Sequence, residues 1–407
     1  MYRIAFVALL FAAPLAAAEG PRTVNGYRVS GKTAAGAEPL DKAATEVMKR
    51  HGIPGAALAI AKDGKLLVAR GYGWANQAND TFVEPDTLFG IASLSKTITA
   101  LAVLKLVEQG RLKLDDFAFK LLAHIKPYRG VPVDPRLHRI TVRHLLQHAG
   151  GWDHAKSGDP VNWTTRLQYE RKDKTPVSPE FLISEAMTLK LDFEPGTDSK
   201  YSNFGFIVLG EVIAKVSGEG YEKYVHDHVI KPAGMTGAKL HPLNAGYFKN
   251  EARRYLAGQE QELPPWRQKY SDAAGGWAVS AVDMVRLLTA LDGSRGKPLL
   301  GEAMMKEMLA APPKIPVRPN GTHVGLGWDT VVLRDKEFGY FKDGNWFGMR
   351  AFMRRQVNGV NAVLLFNASL QPDSQDMKSV GDAAAEVRKH LESITVSGTT
   401  DWFKDYP

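Results

Sequence analysis

The sequence predicts an α+β fold in which one antiparallel sheet is flanked by terminal helices and carries an inserted helical domain. Two apolar runs, 55–61 and 66–70, surround an Asp-Gly pair and predict a β-hairpin near the beginning of the chain. Two further runs, 351–356 and 360–366, flank an Asn-Gly pair and predict a second hairpin near its end. Isolated two-stranded hairpins are only marginally stable, so we expect these distant strands to meet in one sheet.

Outside these hairpins, most apolar residues are spaced as on one face of a helix. The segment 39–51 predicts a helix before the first hairpin, and 377–394 predicts one after the second. Residues 338–342 add a candidate strand, and the polar, glycine-rich residues 20–38 are expected to form a loose leader. Helices are predicted in the middle of the chain, about 97 to 235, with examples at 98–109, 141–148, 179–188 and 204–216.

The first residues have the pattern of a secretion signal. Arg3 precedes the apolar run 4–18, and small residues before Glu19 predict cleavage after Ala18. This run is shorter than the ~20 residues that a membrane-spanning helix needs, and the alternative interpretation is an uncleaved anchor. We expect a periplasmic or secreted protein.

Three parts of the chain are predicted: a signal peptide at 1–18, a sheet domain at 19–115 plus 236–407, and a helical domain at 116–235.

Composition narrows the class of protein. The chain has 407 residues, of which 44% are hydrophobic and 24% charged, as in ordinary globular proteins. It has no cysteine, which excludes disulfides, cysteine nucleophiles and cysteine-ligated metals. The formal charge of +8 is spread along the chain without a nucleic-acid motif. We interpret it as a solvated surface suited to an anionic cell envelope, and we expect no nucleic-acid partner.

Ser93 and Lys96 are the first candidates for chemistry. They open a strongly helical run, where residues three apart lie on the same face. A serine hydroxyl needs a base within hydrogen-bond reach, and a desolvated lysine can approach that role. The segment 294–297 repeats the Ser-x-x-Lys spacing, but in a glycine-rich loop without a helix. The alternative for Ser93 is a helix cap beside a solvated lysine.

Tyr201 and Asn203 form the second candidate motif, far along the chain from the first. A nearby cation would lower the pKa of Tyr201 by favouring the phenolate, which makes this residue a candidate base toward Ser93. It could later act as an acid toward the leaving group. The amide of Asn203 can bind both Lys96 and a substrate carbonyl. The alternative is an ordinary turn at a helix start.

The third motif is Lys342-Asp343-Gly344-Asn345, which ends the predicted strand 338–342. A glycine at a strand end lets a substrate approach the backbone closely. The N–H groups of Asn345 and Ser93 could then form an oxyanion hole. Taken alone, the motif is also compatible with an ordinary strand end.

Together these motifs resemble those of the serine β-lactamase and penicillin-binding protein superfamily, nearest its class C β-lactamase and esterase branch. This branch has Tyr-x-Asn where other members have Ser-Asp-Asn. The similarity extends over most of the mature chain in the expected order. It includes the segments 87–116, 140–152, 194–213, 231–237 and 273–288.

The resemblance implies a β-lactamase/transpeptidase-like fold and a serine hydrolase. It implies that Ser93 forms an acyl-enzyme while Lys96 and Tyr201 pass the proton. Asn203 and Lys342 would position the polar network around them. Water, or another nucleophile, would then release the acyl group.

The chain departs from the family pattern at Asp343, where Thr or Ser is usual. That hydroxyl helps the family hold a substrate carboxylate, and an aspartate would repel one. We therefore expect an ester or amide substrate without that carboxylate, or a cationic one. Lys342 argues the other way, because many esterase relatives have His there. Alternation along the strand could also direct Asp343 away from the pocket.

Several other interpretations are weaker. His144 and His148 have the spacing of a zinc helix, but Leu145 stands where Glu is expected, so we predict hydrogen-bonded structural histidines and no metal. The Gly-x-Gly segments 71–73 and 325–327 lack the third glycine of a dinucleotide loop, and no cofactor is predicted. The expected partner is a small-molecule or peptide-like substrate. A β-lactamase, a D-Ala-D-Ala carboxypeptidase, an acyltransferase and a catalytically silent binder stay open, as does the oligomeric state.

Overall fold

The structure, a computed structural model, describes residues 22–34, 36–163, 167, 177–241, 246–256, 258–261, 272–369 and 400–406. The predicted signal peptide 1–18 and the predicted helix 377–394 lie outside the described residues. The strands are β1 Arg22–Val24, β2 Tyr27–Thr33, β3 Gly55–Lys62, β4 Lys65–Asn76, β5 Thr81–Phe82, β6 Phe89–Gly90, β7 Lys239–Leu240, β8 Arg254–Leu256, β9 Gln259–Gln261, β10 Trp277–Val279, β11 Thr330–Arg334, β12 Glu337–Trp346, β13 Met349–Arg355, β14 Asn361–Phe366 and β15 Ala368–Ser369.

Helices fill the long interval between β6 and β7 and cover the sheet on either side of it. The α-helices are Glu38–His51, Ser95–Glu108, Ala118–Leu121, Val142–Leu146, His154–Ser157, Pro179–Ala186, Asn203–Ser217, Tyr221–Val225, Asp272–Gly275, Ala281–Leu291 and Glu302–Leu309. Short 3-10 turns occur at Ala92–Leu94, Tyr128–Gly130, Pro135–Arg139, Pro160–Trp163 and Trp402–Asp405, and a π-turn at His226–Ile230.

The main sheet is antiparallel and joins strands from both ends of the chain, as predicted. Its order is β1-β2-β4-β3-β14-β13-β12-β11, with β5 paired to β4. Ala57 of β3 lies opposite Leu365 of β14 in the register that joins the two predicted hairpins. The predicted fold class is therefore confirmed. Two small sheets, β6-β10-β7 and β15-β8-β9, complete the arrangement.

Both faces of the sheet are covered, which explains why its central strands read as continuous apolar runs. Along β3, Ala57 and Ala59 belong to one hydrophobic cluster, whereas Leu58 and Ile60 belong to the other. This alternation follows from the two-residue period of a strand. The second cluster also includes Val47 of the helix Glu38–His51, whereas the first includes Ile98 of the helix Ser95–Glu108, so these two helices cover opposite faces of the sheet.

The expectation of a loose leader at 20–38 is wrong for its described part. Arg22–Val24 and Tyr27–Thr33 form an antiparallel hairpin at the edge of the main sheet. Asn25 and Gly26 turn the chain with φ angles of 51° and 88°, a conformation that favours these two residue types. An edge strand tolerates polar residues because one of its sides meets water, so polarity alone did not indicate a loop.

The helices predicted in the middle of the chain are confirmed, with ends that differ by at most three residues. Within the described part of 116–235, no strand pairing occurs beyond one isolated bridge between Phe117 and Thr141. The division into domains stays a prediction. No described helix is both long and apolar enough to cross a membrane.

Candidate active site

Ser93 lies in a tight turn between β6 and a buried helix. The 3-10 turn Ala92–Leu94 passes directly into the helix Ser95–Glu108. Ala92 has a φ of 44°, a left-handed conformation that costs a residue with a Cβ about 1–2 kcal/mol. The Ile91 N–H donates to the Trp277 carbonyl at 3.0 Å, which fixes the chain on one side of the turn. Strain of this kind is characteristic of positions where a reactive side chain is held in place.

Lys96 lies one helical turn from Ser93 and is completely buried. Its Nζ is 3.0 Å from Ser93 Oγ, 2.8 Å from Asn203 Oδ1 and 2.6 Å from the Ala274 carbonyl oxygen. Desolvation, followed by the positive charge of Lys342, lowers the pKa of Lys96 well below its usual value. The neutral amine is therefore favoured at this position, as the sequence analysis expected of a desolvated lysine.

Tyr201 approaches Ser93 from the other side of the cleft. Its hydroxyl lies 2.5 Å from Ser93 Oγ, and its ring centroid lies 5.0 Å from Lys96 Nζ. The ring also packs against His148 at a centroid distance of 4.5 Å. Tyr201 is 40% exposed at the surface of the cleft, and its hydroxyl is directed at Ser93. Ser93, Lys96 and Tyr201 thus meet in one place.

The prediction that a cation lowers the pKa of Tyr201 is wrong. Two lysines do lie near its ring, with Lys342 Nζ 5.2 Å from the centroid. Burial of the phenol and the negative charge of Asp329 nevertheless raise its pKa well above the usual value. Tyr201 accordingly holds its proton in this environment, and Lys96 is the better proton acceptor of the two.

Asn203 begins the helix Asn203–Ser217 and is fixed by a carboxylate that sequence analysis did not single out. Asp159 accepts hydrogen bonds from the Asn203 backbone N–H at 2.8 Å and from its side-chain Nδ2 at 3.2 Å. This leaves Oδ1 of Asn203 facing Lys96. Asp159 lies in a loop without a motif, so its role follows only from the fold.

β12 carries the third motif past the nucleophile. A Cβ at Gly344 would lie 2.6 Å from the Ile91 carbonyl oxygen and 3.1 Å from the Ser93 nitrogen. Only glycine therefore allows this strand to lie so close to the turn that bears Ser93. The motif residue Asn345 follows directly on the strand and lines the same cavity as Ser93.

Lys342 is fully buried behind this cavity and forms an ion pair with Asp329. Desolvation acts to raise the pKa of Asp329, but the Lys342 ammonium outweighs it and the pKa is lowered. The Asp343 backbone N–H also donates to Asp329, at 3.4 Å. Asp329 is thus the carboxylate that holds the Lys342 end of the site, and the sequence analysis missed it.

The position of Asp329 depends on the glycines before it. Gly327 has a φ of 80°, and a Cβ there would lie 2.4 Å from the Ala100 Cβ. Its carbonyl accepts a hydrogen bond from Thr97 Oγ1 at 3.0 Å, which fastens this loop to the helix Ser95–Glu108. The Gly-x-Gly segment 325–327, interpreted from sequence as loop glycines, was the available signal.

Asp343 faces the cavity, so strand alternation does not direct it away. Its Oδ2 lies 2.8 Å from Arg350 Nη2 on β13. Burial raises the pKa of Asp343, the Arg350 charge acts in the opposite direction, and the nearby Asp329 raises it further. The cavity has a volume of 520 Å³. Its lining residues are Ser93, His148, Ser199, Tyr201, Asn203, Arg318, Val324, Asp329, Asp343, Asn345 and Trp346.

The two histidines predicted to be structural each accept a backbone hydrogen bond. His144 Nδ1 accepts from the Thr141 N–H at 3.3 Å, and His148 Nδ1 accepts from the Ser202 N–H at 3.2 Å. Burial, with the charge of Lys342, lowers the pKa of His148 to about 3, so its imidazole is neutral. Within the described ranges, no group of three His, Asp or Glu side chains is arranged to hold a metal ion.

This fold and this arrangement of side chains define a serine hydrolase of the β-lactamase-related type. The chain belongs to the Beta-lactamase family, whose model matches residues 40–386. It is 31% identical over 255 residues to the putative penicillin-binding protein PbpX of Bacillus subtilis (strain 168), covering 60% of this chain and 56% of that one. It is 30% identical over 208 residues to protein flp of Staphylococcus aureus (strain N315), covering 51% and 39%. The chain thus matches 56% and 39% of the length of these two curated relatives.

Solved structures give the same fold. The octameric penicillin-binding protein homologue from Pyrococcus abyssi matches with a TM-score of 0.66 and 25% identity, covering 86% of this chain and 78% of that one. The D-amino acid amidase from Ochrobactrum anthropi SV3, complexed with L-phenylalanine amide, matches with a TM-score of 0.66 and 21% identity. That match covers 87% of this chain and 99% of the amidase.

Proposed function

We propose that this protein is an exported serine hydrolase that cleaves an ester or amide through an acyl-enzyme on Ser93. One observation carries the proposal: Ser93 Oγ lies within hydrogen-bond distance of both a buried amine and a phenol. A nucleophile, a base and an acid in mutual contact are what acyl transfer requires.

The lowered pKa of Lys96 and the raised pKa of Tyr201 indicate which group accepts and which donates a proton. Neutral Lys96 takes the Ser93 hydroxyl proton as Oγ attacks the substrate carbonyl carbon. When the bond to the leaving group breaks, Tyr201 donates its proton to that group, and the proton that Lys96 took from Ser93 then passes to the Tyr201 phenolate. Water then attacks the acyl-enzyme, its proton passes to the same pair, and Ser93 is released with its hydroxyl restored.

The N–H groups of Ser93 and Asn345 are the proposed oxyanion hole. The close approach of Gly344 to the Ser93 nitrogen brings the strand bearing Asn345 beside the nucleophile. Donors that are fixed before the reaction stabilise the developing oxyanion without reorganisation. Asn203 and Lys342 are proposed to position substrate and lysine within the cleft, with Asp159 and Asp329 holding them.

The proposed substrate lacks a carboxylate next to the scissile bond. Asp343 lines the cavity where relatives of this branch have a hydroxyl, and its carboxyl group repels an anion placed there. The ion pair with Arg350 weakens this repulsion, so we expect substrates with that carboxylate to be cleaved more slowly and not to be excluded. Penicillins and D-Ala-D-Ala peptides carry that carboxylate and are expected to be the poorer substrates.

A β-lactamase or D-Ala-D-Ala carboxypeptidase is the second candidate. The observation that favours it is Lys342, which is buried, paired with Asp329 and adjacent to the Tyr201 ring. PbpX, which is described as a putative penicillin-binding protein, adds a reason to include β-lactams among the substrates tested.

The discriminating experiment is a substrate panel run on the wild type and on Ser93→Ala. p-Nitrophenyl butyrate, a D-amino acid amide, a D-Ala-D-Ala peptide and nitrocefin are compared by kcat/KM. We expect the ester or amide to be cleaved best and every activity to be lost in Ser93→Ala. Efficient nitrocefin turnover would replace the first candidate with the second. A fluorophosphonate probe that fails to label the wild type would favour a silent binder, and product analysis with added alcohol or amine acceptors would reveal acyl transfer.

Export is proposed from the signal pattern at 1–18. Expression of the full chain followed by fractionation and N-terminal sequencing tests it directly. We expect the mature protein to begin at Glu19 in the periplasm or the medium. A cytoplasmic product that still begins at Met1 would contradict export while leaving the hydrolase proposal intact.

A further inference from the structure

A second cavity lies at the outer edge of the main sheet, where β11 is the last strand. It has a volume of 640 Å³, slightly more than the cavity at Ser93. Strands β11, β12 and β13 form its floor, since Thr330 pairs with Phe341 and Phe341 with Arg354 in the strand register. Its lining residues are Arg318, Asn320, Thr322, Thr330, Val332, Arg334, Gly339, Tyr340, Phe341, Arg354, Arg355, Gln356, Val357 and Asn358.

The charge of this cavity is one-sided. Four arginines line it, and no carboxylate occurs among its described lining residues. Arg355 is neutralised by an ion pair with Asp292. Among the described residues, the Arg318 side chain donates to neutral oxygens, namely the hydroxyls of Thr322 and Thr330 and the Asp329 carbonyl at 2.9 Å. Its charge is therefore available to a ligand.

Arg334 is exposed at the end of β11, beside the two-residue turn at 335–336. Its cross-strand neighbour is Glu337, but within the part of the chain that the structure describes the two form no ion pair. The neighbouring Lys336 is equally exposed and does not line the cavity. The hairpin thus offers two cations of which only one faces the cavity.

Arg318 also lines the cavity at Ser93, so the two cavities adjoin. A molecule whose scissile bond lies at Ser93 can continue past Arg318 toward Arg334. The lining combines polar side chains, such as Asn320 and Asn358, with apolar ones, such as Phe341. It can therefore contact a carbon chain while its arginines bind a charged group at the end of that chain. Guanidinium groups bind planar or tetrahedral oxyanions through paired N–H donors.

We propose that this arginine-lined cavity binds an oxyanion, carboxylate or phosphate, carried by the part of the substrate remote from the scissile bond. The inference rests on the proposed hydrolase function and extends it to a substrate class. It is compatible with the exclusion of a carboxylate at Asp343, because the two positions lie at opposite ends of the bound molecule. The same protein would repel an anion beside the reacting carbonyl and attract one at a distance.

The test uses three series of p-nitrophenyl esters that differ only at the far end of the acyl chain: a neutral methyl group, a carboxylate or a phosphate. In Arg334→Gln, KM for the esters that end in the anion bound by the cavity should rise about tenfold, because one charge-assisted contact is lost, and kcat should be unchanged. Lys336→Gln removes the same charge from the same hairpin and should leave KM unchanged. Comparison of the carboxylate and phosphate series identifies the anion.

Equal changes in KM for the neutral and anionic series would overturn the proposal, as would an equal effect of Lys336→Gln. A binding measurement tests the anion site independently of catalysis. Titration of Ser93→Ala with the intact carboxylate and phosphate esters should show affinity that Arg334→Gln reduces by the same factor. If the wild type hydrolyses neither these esters nor the amide of the substrate panel but this binding is seen, the hydrolase proposal fails and the anion site stands. If neither anionic ester binds more tightly than the neutral one, the anion site fails.

Discussion

Lys96 Nζ lies 3.0 Å from Ser93 Oγ, and the lysine side chain is completely buried. The same burial that excludes water lowers the pKa of this amine and makes it a base. The relationship defines how the reaction rate should depend on pH and which residues should control it.

The rate of acylation should rise with pH along a limb set by Lys96. Protonated lysine cannot accept the Ser93 proton, so activity is lost below its pKa and gained above it. Because that pKa is lowered, the limb should lie well below the range of an ordinary lysine. A stopped-flow pH profile of p-nitrophenyl release measures it. Lys96→Arg, which keeps the charge and cannot act as a base, should abolish acylation, and a limb at the ordinary lysine pKa would contradict this assignment.

Tyr201→Phe should lower kcat by about 10²–10⁴-fold with a small change in KM, because the phenol is expected to supply the leaving-group proton. The size of the loss should fall for leaving groups that need no protonation, such as p-nitrophenolate. Comparison of a p-nitrophenyl ester with an alkyl ester measures this difference. Tyr128→Phe, a half-buried tyrosine outside the site, is the control. An equal loss for both esters would remove Tyr201 from the acid role.

Gly344→Ala should reduce kcat by about 10²–10³-fold, the cost of losing one oxyanion donor. The added methyl would lie 2.6 Å from the Ile91 carbonyl oxygen, so β12 must shift away from the nucleophile. Gly220→Ala is a matched control, since nothing lies within 4 Å of a Cβ there and its φ of −65° suits alanine. Kinetics and thermal unfolding of both variants separate lost activity from lost folding. Full activity in Gly344→Ala would show that the strand is not part of the oxyanion site.

Asp329→Asn should destabilise the protein by about 3 kcal/mol, because Lys342 is left buried without its counter-charge. Urea unfolding measures the change in the free energy of unfolding. Activity should also fall, since Lys342 packs beside the Tyr201 ring. Asp335→Asn, in the exposed turn nearby, should leave both quantities unchanged. Stability equal to the wild type in Asp329→Asn would mean that the pair does not hold the Lys342 end of the site.

Asp343→Thr should shift the substrate preference toward molecules with a carboxylate next to the scissile bond. Removing the negative charge ends the repulsion and supplies the hydroxyl that relatives of this branch have there. The ratio of kcat/KM for nitrocefin to that for p-nitrophenyl butyrate should rise about tenfold, and Asp343→Asn should give part of the change. An unchanged ratio in both variants would show that Asp343 does not select the substrate.

Much of the fold followed from local patterns. The two predicted hairpins and the helices around 98–109 and 204–216 were found because their apolar residues repeat with the period of a strand or a helix. The N-terminal hairpin was missed although Asn25-Gly26 marked its turn, because its strands are polar at the sheet edge. Edge strands carry less of the alternation on which such predictions rely.

The candidate site was predicted only in part. Ser93, Lys96, Tyr201, Asn203 and the motif at 342–345 have recognisable spacing, and the structure brings them into one cleft. Asp159 and Asp329 could not be selected in this way, because single carboxylates in loops are common and acquire a role only from what they contact. The sign of the Tyr201 pKa shift was also beyond the sequence, since it depends on burial and on distant charges.

The sequence by itself determined the covalent possibilities: a serine, an amine and a phenol in motifs, a glycine where a strand passes closely, and no thiol. Tertiary structure decided which of these groups carries the proton, because the ionisation of a side chain is set by solvent exclusion and neighbouring charge. It also decided which cation faces a cavity, as for Arg334 but not Lys336. These effects depend on residues that lie far apart along the chain. Only folding brings their charges close enough to interact strongly.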